Sequence, residues 1–98
     1  MSVIDEIAAE RQRQIEVEDW TPEHDDNHDG GQLLHAAVAY ALAAASDRSE
    51  NRLAFLAHRW WPWSFSWWKP KNRRRDLIRA GALIVAEIER LDRLEQSK

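Results

Sequence analysis

Apolar residues recur along the chain at intervals of three and four, and no stretch alternates long enough to suggest a strand. Residues 2–17 read as a first helix, with Ser2 as its cap and Asp5 at the third helical position, a capping-box variant. Val3, Ile4, Ile7, Ala8 and Ile15 give it an apolar face that thins where Arg11, Gln12, Arg13 and Gln14 sit, so this helix needs a partner. A second helix runs from Gly31 or Gln32 to about Ala45 on Leu33, Leu34, Ala37, Val38, Ala41 and Leu42, and its many alanines allow another helix close. Residues 51–58 suggest a short third helix carrying Leu53, Phe55 and Leu56. Residues 71–94 form the longest one. Its seam is Leu77, Gly81, Ile84, Ile88 and Leu91, widened by Ile78, Val85 and Leu94, with Glu87, Glu89, Arg90, Asp92 and Arg93 as the wet face. Gly81 costs such a helix about 1 kcal/mol against Ala, which points to tight helix–helix contact there. The expected fold is all-α, a compact bundle of three to four helices in one domain over residues 1–98.

Two loops separate these helices, and each has a strong character. Residues 18–31 are acidic and rich in turn formers (Pro22, Asn27, Gly30, Gly31). Between Gln14 and Asp47 there is no Lys or Arg, yet Glu16, Glu18, Asp19, Glu23, Asp25, Asp26, Asp29 and Asp47 all fall there. Residues 59–76 hold Trp60, Trp61, Trp63, Trp67 and Trp68, interrupted by Pro62 and Pro70, and then Lys69, Lys71, Arg73, Arg74 and Arg75. Each Trp buries on the order of 200 Å² when packed, so this loop must fold onto a core, a partner chain or a ligand.

Composition narrows the classes. The chain is 44% hydrophobic and 32% charged, with a formal net charge of -3, which gives no reason to expect nucleic acid as the main partner. With no cysteine there is no disulfide framework and no thiolate metal site. The longest apolar run, residues 36–45, is too short to span a bilayer, so no membrane partner is expected. The start of the chain lacks a basic region followed by an apolar one, and a cytoplasmic location is the expectation. A chain this short buries only roughly 60–65% of its unfolded surface, which favours a homo-oligomer.

Four groups could carry chemistry. Glu23, His24, Asp25, Asp26, His28 and Asp29 place carboxylates with imidazoles in one loop, and oxygen-rich sets of this kind suit Mg²⁺ or Mn²⁺. The plainer reading is a solvated acidic loop that complements the dipole of the next helix. Gln32 and His35 share a helical face, where a core role for His35 competes with a ligand role. Lys69, Lys71, Arg73, Arg74 and Arg75 surround a helix start and suit phosphate, pairing with the acidic loop, or, less well, nucleic acid. Trp63 and Trp67 could stack on a nucleobase, or belong with the other indoles to a core or a subunit interface. No Ser–His–Asp arrangement, Gly-rich phosphate loop or zinc motif is present.

Arg11-Gln12-Arg13-Gln14-Ile15, Glu18-x-Trp20-Thr21-Pro22-Glu23-His24-Asp25-Asp26, Trp61-Pro62-Trp63 and Trp67-Trp68-Lys69-Pro70-Lys71-x-Arg73-Arg74-Arg75-Asp76-Leu77 together resemble a family of small tailed-phage and prophage proteins. More distantly the chain is similar to the all-α, MazG-like nucleoside triphosphate pyrophosphohydrolases. That resemblance implies Mg²⁺-dependent cleavage of a dNTP to dNMP and pyrophosphate. Glu23, Asp25 and Asp26 would hold the metal and the five cations would bind phosphate. Trp63 and Trp67 would stack on the base, and His24 and Asp76 would be the catalytic residues. The sequence departs from the MazG pattern of Glu-Glu-x-x-Glu followed by Glu-x-x-Asp, offering only Gln32 and His35 on its second helix. The rival expectation is therefore a non-enzymatic phage protein that docks on and inhibits a host protein, such as a defence component.

Overall fold

In the computed structural model, which describes residues 2–46 and 51–97, every regular element is helical. The order is α1 (Val3–Glu16), α2 (Pro22–Asp26), α3 (Gln32–Ala45), α4 (Asn51–Trp60), a 3₁₀ turn (Phe65–Trp67) and α5 (Arg73–Gln96). Asp47, counted above with the acidic residues, lies outside the described residues. Among the described residues no helix is long and apolar enough to cross a membrane.

Local chemistry sets the helix ends. Ser2 and Asp5 form the expected capping box. Asn72 accepts from the Arg75 N–H, so α5 begins at Arg73 rather than at Lys71. The acidic loop also contains a helix that the apolar pattern did not reveal. Thr21 caps α2 and Pro22 occupies its first turn, a start signal that needs no apolar period. Five residues are too few to show such a period.

The core is the contact of α3 with α5. Ala36, Ala37 and Ala39 of α3 cluster with Ala80 and Ala86 of α5, with Leu33 and Leu83 fully buried among them, and Trp20, Tyr40 and Trp61 extend this core. Small side chains let the two helices come close.

Two faces differ from the expectation. On α5 the seam residues Leu77, Ile84, Ile88 and Leu91 stay exposed, while Ile78, Ala80, Ala82, Leu83 and Ala86 turn inward. An alanine-rich partner accepts the smaller face, and the large aliphatics remain outside. Arg90, placed on the wet face by the sequence, is buried and held by Glu87 at 2.6 Å. Gly81 does mark a close contact, but with α1: a Cβ there would lie 3.1 Å from Ile7 Cδ1. On α1 itself the buried side chains are Glu10, Arg11 and Gln14, and Ile4 is 73% exposed. The stretch where the apolar face thins is the one that packs inward, as a polar network.

The two faces of α5 predict different mutational costs. Leu83→Ala should lose about 3 kcal/mol by opening a core cavity. Leu77→Ala, on the outer seam, should lose less than about 1 kcal/mol in dilute protein. Urea unfolding of both variants at low concentration checks the assignment, and equal losses would contradict it.

Candidate functional site

The site is built where α1 ends. Asp19 takes a left-handed conformation (φ 61°), tolerable for Asp, and lets the chain turn back. The Trp20 N–H then donates to the Gln14 carbonyl at 2.9 Å, and the indole drops into the core. Arg11 ties this turn to α2 and α5. One of its terminal nitrogens donates to the Trp20 carbonyl at 3.2 Å, the other forms a short ion pair with the fully buried Asp25, and Nε lies 3.5 Å from Glu89 of α5. From outside, Arg93 donates to the Asp26 carboxylate at 2.8 Å. The Arg93 guanidinium holds the Asp26 carboxyl below its ordinary range. Thus α2 is clamped to α1 and to the C-terminal half of α5.

The tryptophans divide. Trp61 is buried, donates Nε1–H to the Ser64 carbonyl at 2.9 Å and stands edge-on to Tyr40 and Trp63. Trp63 and Trp68 pack against the core from its rim. Trp60 and Trp67 are 43% and 50% exposed, so the core alternative does not account for them and the partner and ligand alternatives stay open. Trp60 is the last residue of α4, and Trp61 follows it outside the helix. The Trp60 ring meets His35 edge-on at 5.0 Å, so His35 is an exposed residue and not a core one.

Beside this clamp His24, His28, Trp63, Ser64 and Trp67 line an open pocket of about 270 Å³. The His28 ring lies 5.3 Å from Trp63 and 4.4 Å from His24. His24 Nδ1 is 3.2 Å from Asp25 Oδ1, and its Nε2 is 3.1 Å from His28 Nε2. A carboxylate only accepts, so Nδ1 of His24 carries the proton and its Nε2 offers a lone pair to His28. Burial first, and then the neighbouring His24, hold the His28 pKa below its ordinary value. Trp63 contributes a buried Nε1–H with no hydrogen-bond partner.

The pocket therefore collects His24, His28, Trp63 and Trp67 from the candidates above. The others lie elsewhere. Arg74 and Arg75 pair with Glu6 and Glu10 of α1, and Arg73 donates to the Ala44 carbonyl at 2.9 Å. Glu10 feels burial raising its pKa, but Arg13 and Arg75 outweigh that and keep it low. The Lys71 backbone N–H donates to Asp76 at 2.9 Å, and both residues line a separate groove with Trp68 and Arg73. Burial raises the Asp76 pKa, opposed by that N–H and by Arg79. Because α2 sits on Arg93 and the basic run begins at Arg73, roughly 30 Å of helix separates α2 from Arg73 and Arg74, while Arg75 is linked to Glu18 at the start of the acidic loop through Glu10 and Arg13. Lys69 lies near Glu18 as well. It lines a narrow polar cleft with Glu10, Gln14, Glu18 and Arg79, and Trp67 is a wall of both cleft and pocket.

Glu23, Asp25 and Asp26 do not converge. Glu23 is exposed, Asp25 points inward to Arg11, and Asp26 points outward to Arg93. Among the described residues no three of His, Asp and Glu form a group able to hold a metal ion. Ser64 is the pocket residue that the sequence did not single out, whereas His28 was named as a member of the acidic-loop set. No family model, curated protein or solved structure matches the chain.

The clamp should be costly to break from one side. Arg11→Met leaves Asp25 buried without its cation and should lose about 3–5 kcal/mol. Adding Asp25→Asn removes the stranded charge and should recover part of that loss. Chemical unfolding of the single and double variants measures the coupling, and strictly additive losses would refute it.

Proposed function

We propose that the protein binds a planar ring, of the nucleobase kind carried by a nucleotide, in the pocket of His24, His28, Trp63, Ser64 and Trp67. The observation that carries this reading is the convergence of two indoles and two imidazoles from separate segments around about 270 Å³, room for one ring system. Indole faces stack on any base, at about 1–3 kcal/mol each. Lys69, which shares the neighbouring cleft with Trp67, is the cation nearest the pocket that this reading offers to an attached phosphate.

Cleavage of a dNTP with Mg²⁺, which the MazG-like resemblance implies, has weaker support. The carboxylates named for the metal are turned apart and two are paired with arginines, so as arranged they do not fit it. The basic helix start is committed to α1 and α3. Binding without turnover is the better-supported reading. A second reading, docking on a partner protein, draws on the exposed aromatics Phe55, Trp60, Phe65 and Trp67.

Titration with dNTPs and free nucleosides should quench tryptophan emission and raise the melting temperature. Trp63→Ala should weaken binding by at least about fivefold, since one stacked ring contributes about 1–3 kcal/mol. No response from any nucleoside or nucleotide at millimolar concentration would sink the proposal. Release of pyrophosphate with Mg²⁺ or Mn²⁺ would restore the enzyme reading instead.

The outer seam of α5 supports a homodimer. Leu77, Ile84, Ile88 and Leu91 are exposed aliphatics spaced by seven, four and three, the period of a two-helix seam. Wild-type protein should scatter as a dimer at high micromolar concentration and the Ile84→Glu, Ile88→Glu variant as a monomer. A wild-type monomer under those conditions rejects the pairing.

A further inference from the structure

We propose that His24 and His28 form a two-imidazole site for a borderline divalent cation, Zn²⁺ above all, whose remaining coordination positions open into the aromatic pocket. The first observation is the spacing. The two Nε2 atoms lie 3.1 Å apart. Two nitrogens bound to one tetrahedral Zn²⁺ at 2.0–2.1 Å stand about 3.3 Å apart, so turning both rings by about 35°, with loss of their mutual hydrogen bond, admits the ion without separating them. The second is the support behind His24. Its Nδ1 faces the carboxylate of Asp25 at 3.2 Å, and Asp25 is itself buried and held by Arg11. A ligating His characteristically donates its other N–H to a carboxylate in this way, which fixes the tautomer and aims the Nε2 lone pair outward.

The proton inventory is compatible. Without metal, the Nε2–H of His28 bridges to the His24 lone pair. With metal, that proton moves to Nδ1 of His28, both Nε2 lone pairs face the ion, and neither ring changes charge. The ligand chemistry also selects the metal. Neutral imidazoles suit Zn²⁺, Cu²⁺ and Ni²⁺, whereas Mg²⁺ prefers oxygen donors. Two protein ligands leave a tetrahedral ion two positions for water or for a donor atom of a bound molecule, and Trp63 and Trp67 wall that space. The site uses only the imidazoles and Asp25, so it does not rest on the ring-binding reading.

Zn²⁺ alone, titrated into the full chain at neutral pH without nucleotide, should bind at one ion per chain with micromolar affinity and raise the melting temperature, while Mg²⁺ does neither. Co²⁺ in its place should give the visible absorption of a low-coordinate nitrogen site. His24→Ala and His28→Ala should each weaken binding by at least about tenfold, as loss of a ligand exceeds the tenfold seen for supporting residues. His35→Ala and His58→Ala should leave it unchanged. Circular dichroism separates lost ligation from lost fold, and the Co²⁺ spectrum of the wild type needs no variant. Absence of stoichiometric Zn²⁺ or Co²⁺ binding at submillimolar concentration overturns the site, as does binding that survives the folded double variant. Either outcome leaves the nucleotide titrations to stand or fall separately.

Discussion

The buried pair of Arg11 and Asp25 is the constraint on which the rest depends. Taking a guanidinium and a carboxylate out of water costs several kcal/mol each, and their attraction returns that only when geometry and further hydrogen bonds are good. Here both conditions are met: Arg11 also donates to the Trp20 carbonyl, and Asp25 also faces His24. The pair adds little net stability over an apolar contact of equal size. What it supplies is position. One side chain of α1 sets where Trp20 enters the core, where α2 lies against α5, and which way His24 points. The aromatic pocket is a consequence of that single placement.

This explains how far the sequence could be read. Helical period, capping and the lack of strand signals were enough for the class of fold, because those signals are local. The inward face of α5 was misjudged because hydrophobicity favours Leu77, Ile84 and Ile88, whereas the alanine face of α3 rewards close approach and selects Ala80 and Ala86. The inward face of α1 was hidden because Glu10, Arg11 and Gln14 are polar, and a buried polar residue becomes visible only with its partners. For the pocket, Trp63 and Trp67 could be named from their chemistry and His24 from its neighbours. Their meeting could not, since it depends on a turn at Asp19 and a clamp across three helices. The acidic loop and the basic run looked complementary along the chain, yet a long helix holds Arg73 and Arg74 far from α2.

The charges of this molecule are for the most part spent on architecture. Glu6, Glu10, Asp25 and Asp26 are all engaged by arginines, and Arg73 closes the end of α3. Among the described residues the buried side-chain polar atoms left without a partner are Gln14 Oε1, Trp20 Nε1, Trp63 Nε1 and Arg79 Nε.

The packed rings have an optical consequence. Tyr40, Trp61, Trp63 and Trp68 have neighbouring centroids between 4.8 and 5.5 Å apart, at tilts from 39° to 89°. Chromophores that close, and neither parallel nor coplanar, share their excited states, and a skewed pair of coupled transitions absorbs left- and right-handed light unequally. The far-ultraviolet spectrum of this protein will therefore carry an aromatic exciton band laid over its helical one. Helix content read from that spectrum without correction will be wrong, but the same band is an internal gauge of whether the indoles are in register, able to fade while the helices themselves persist.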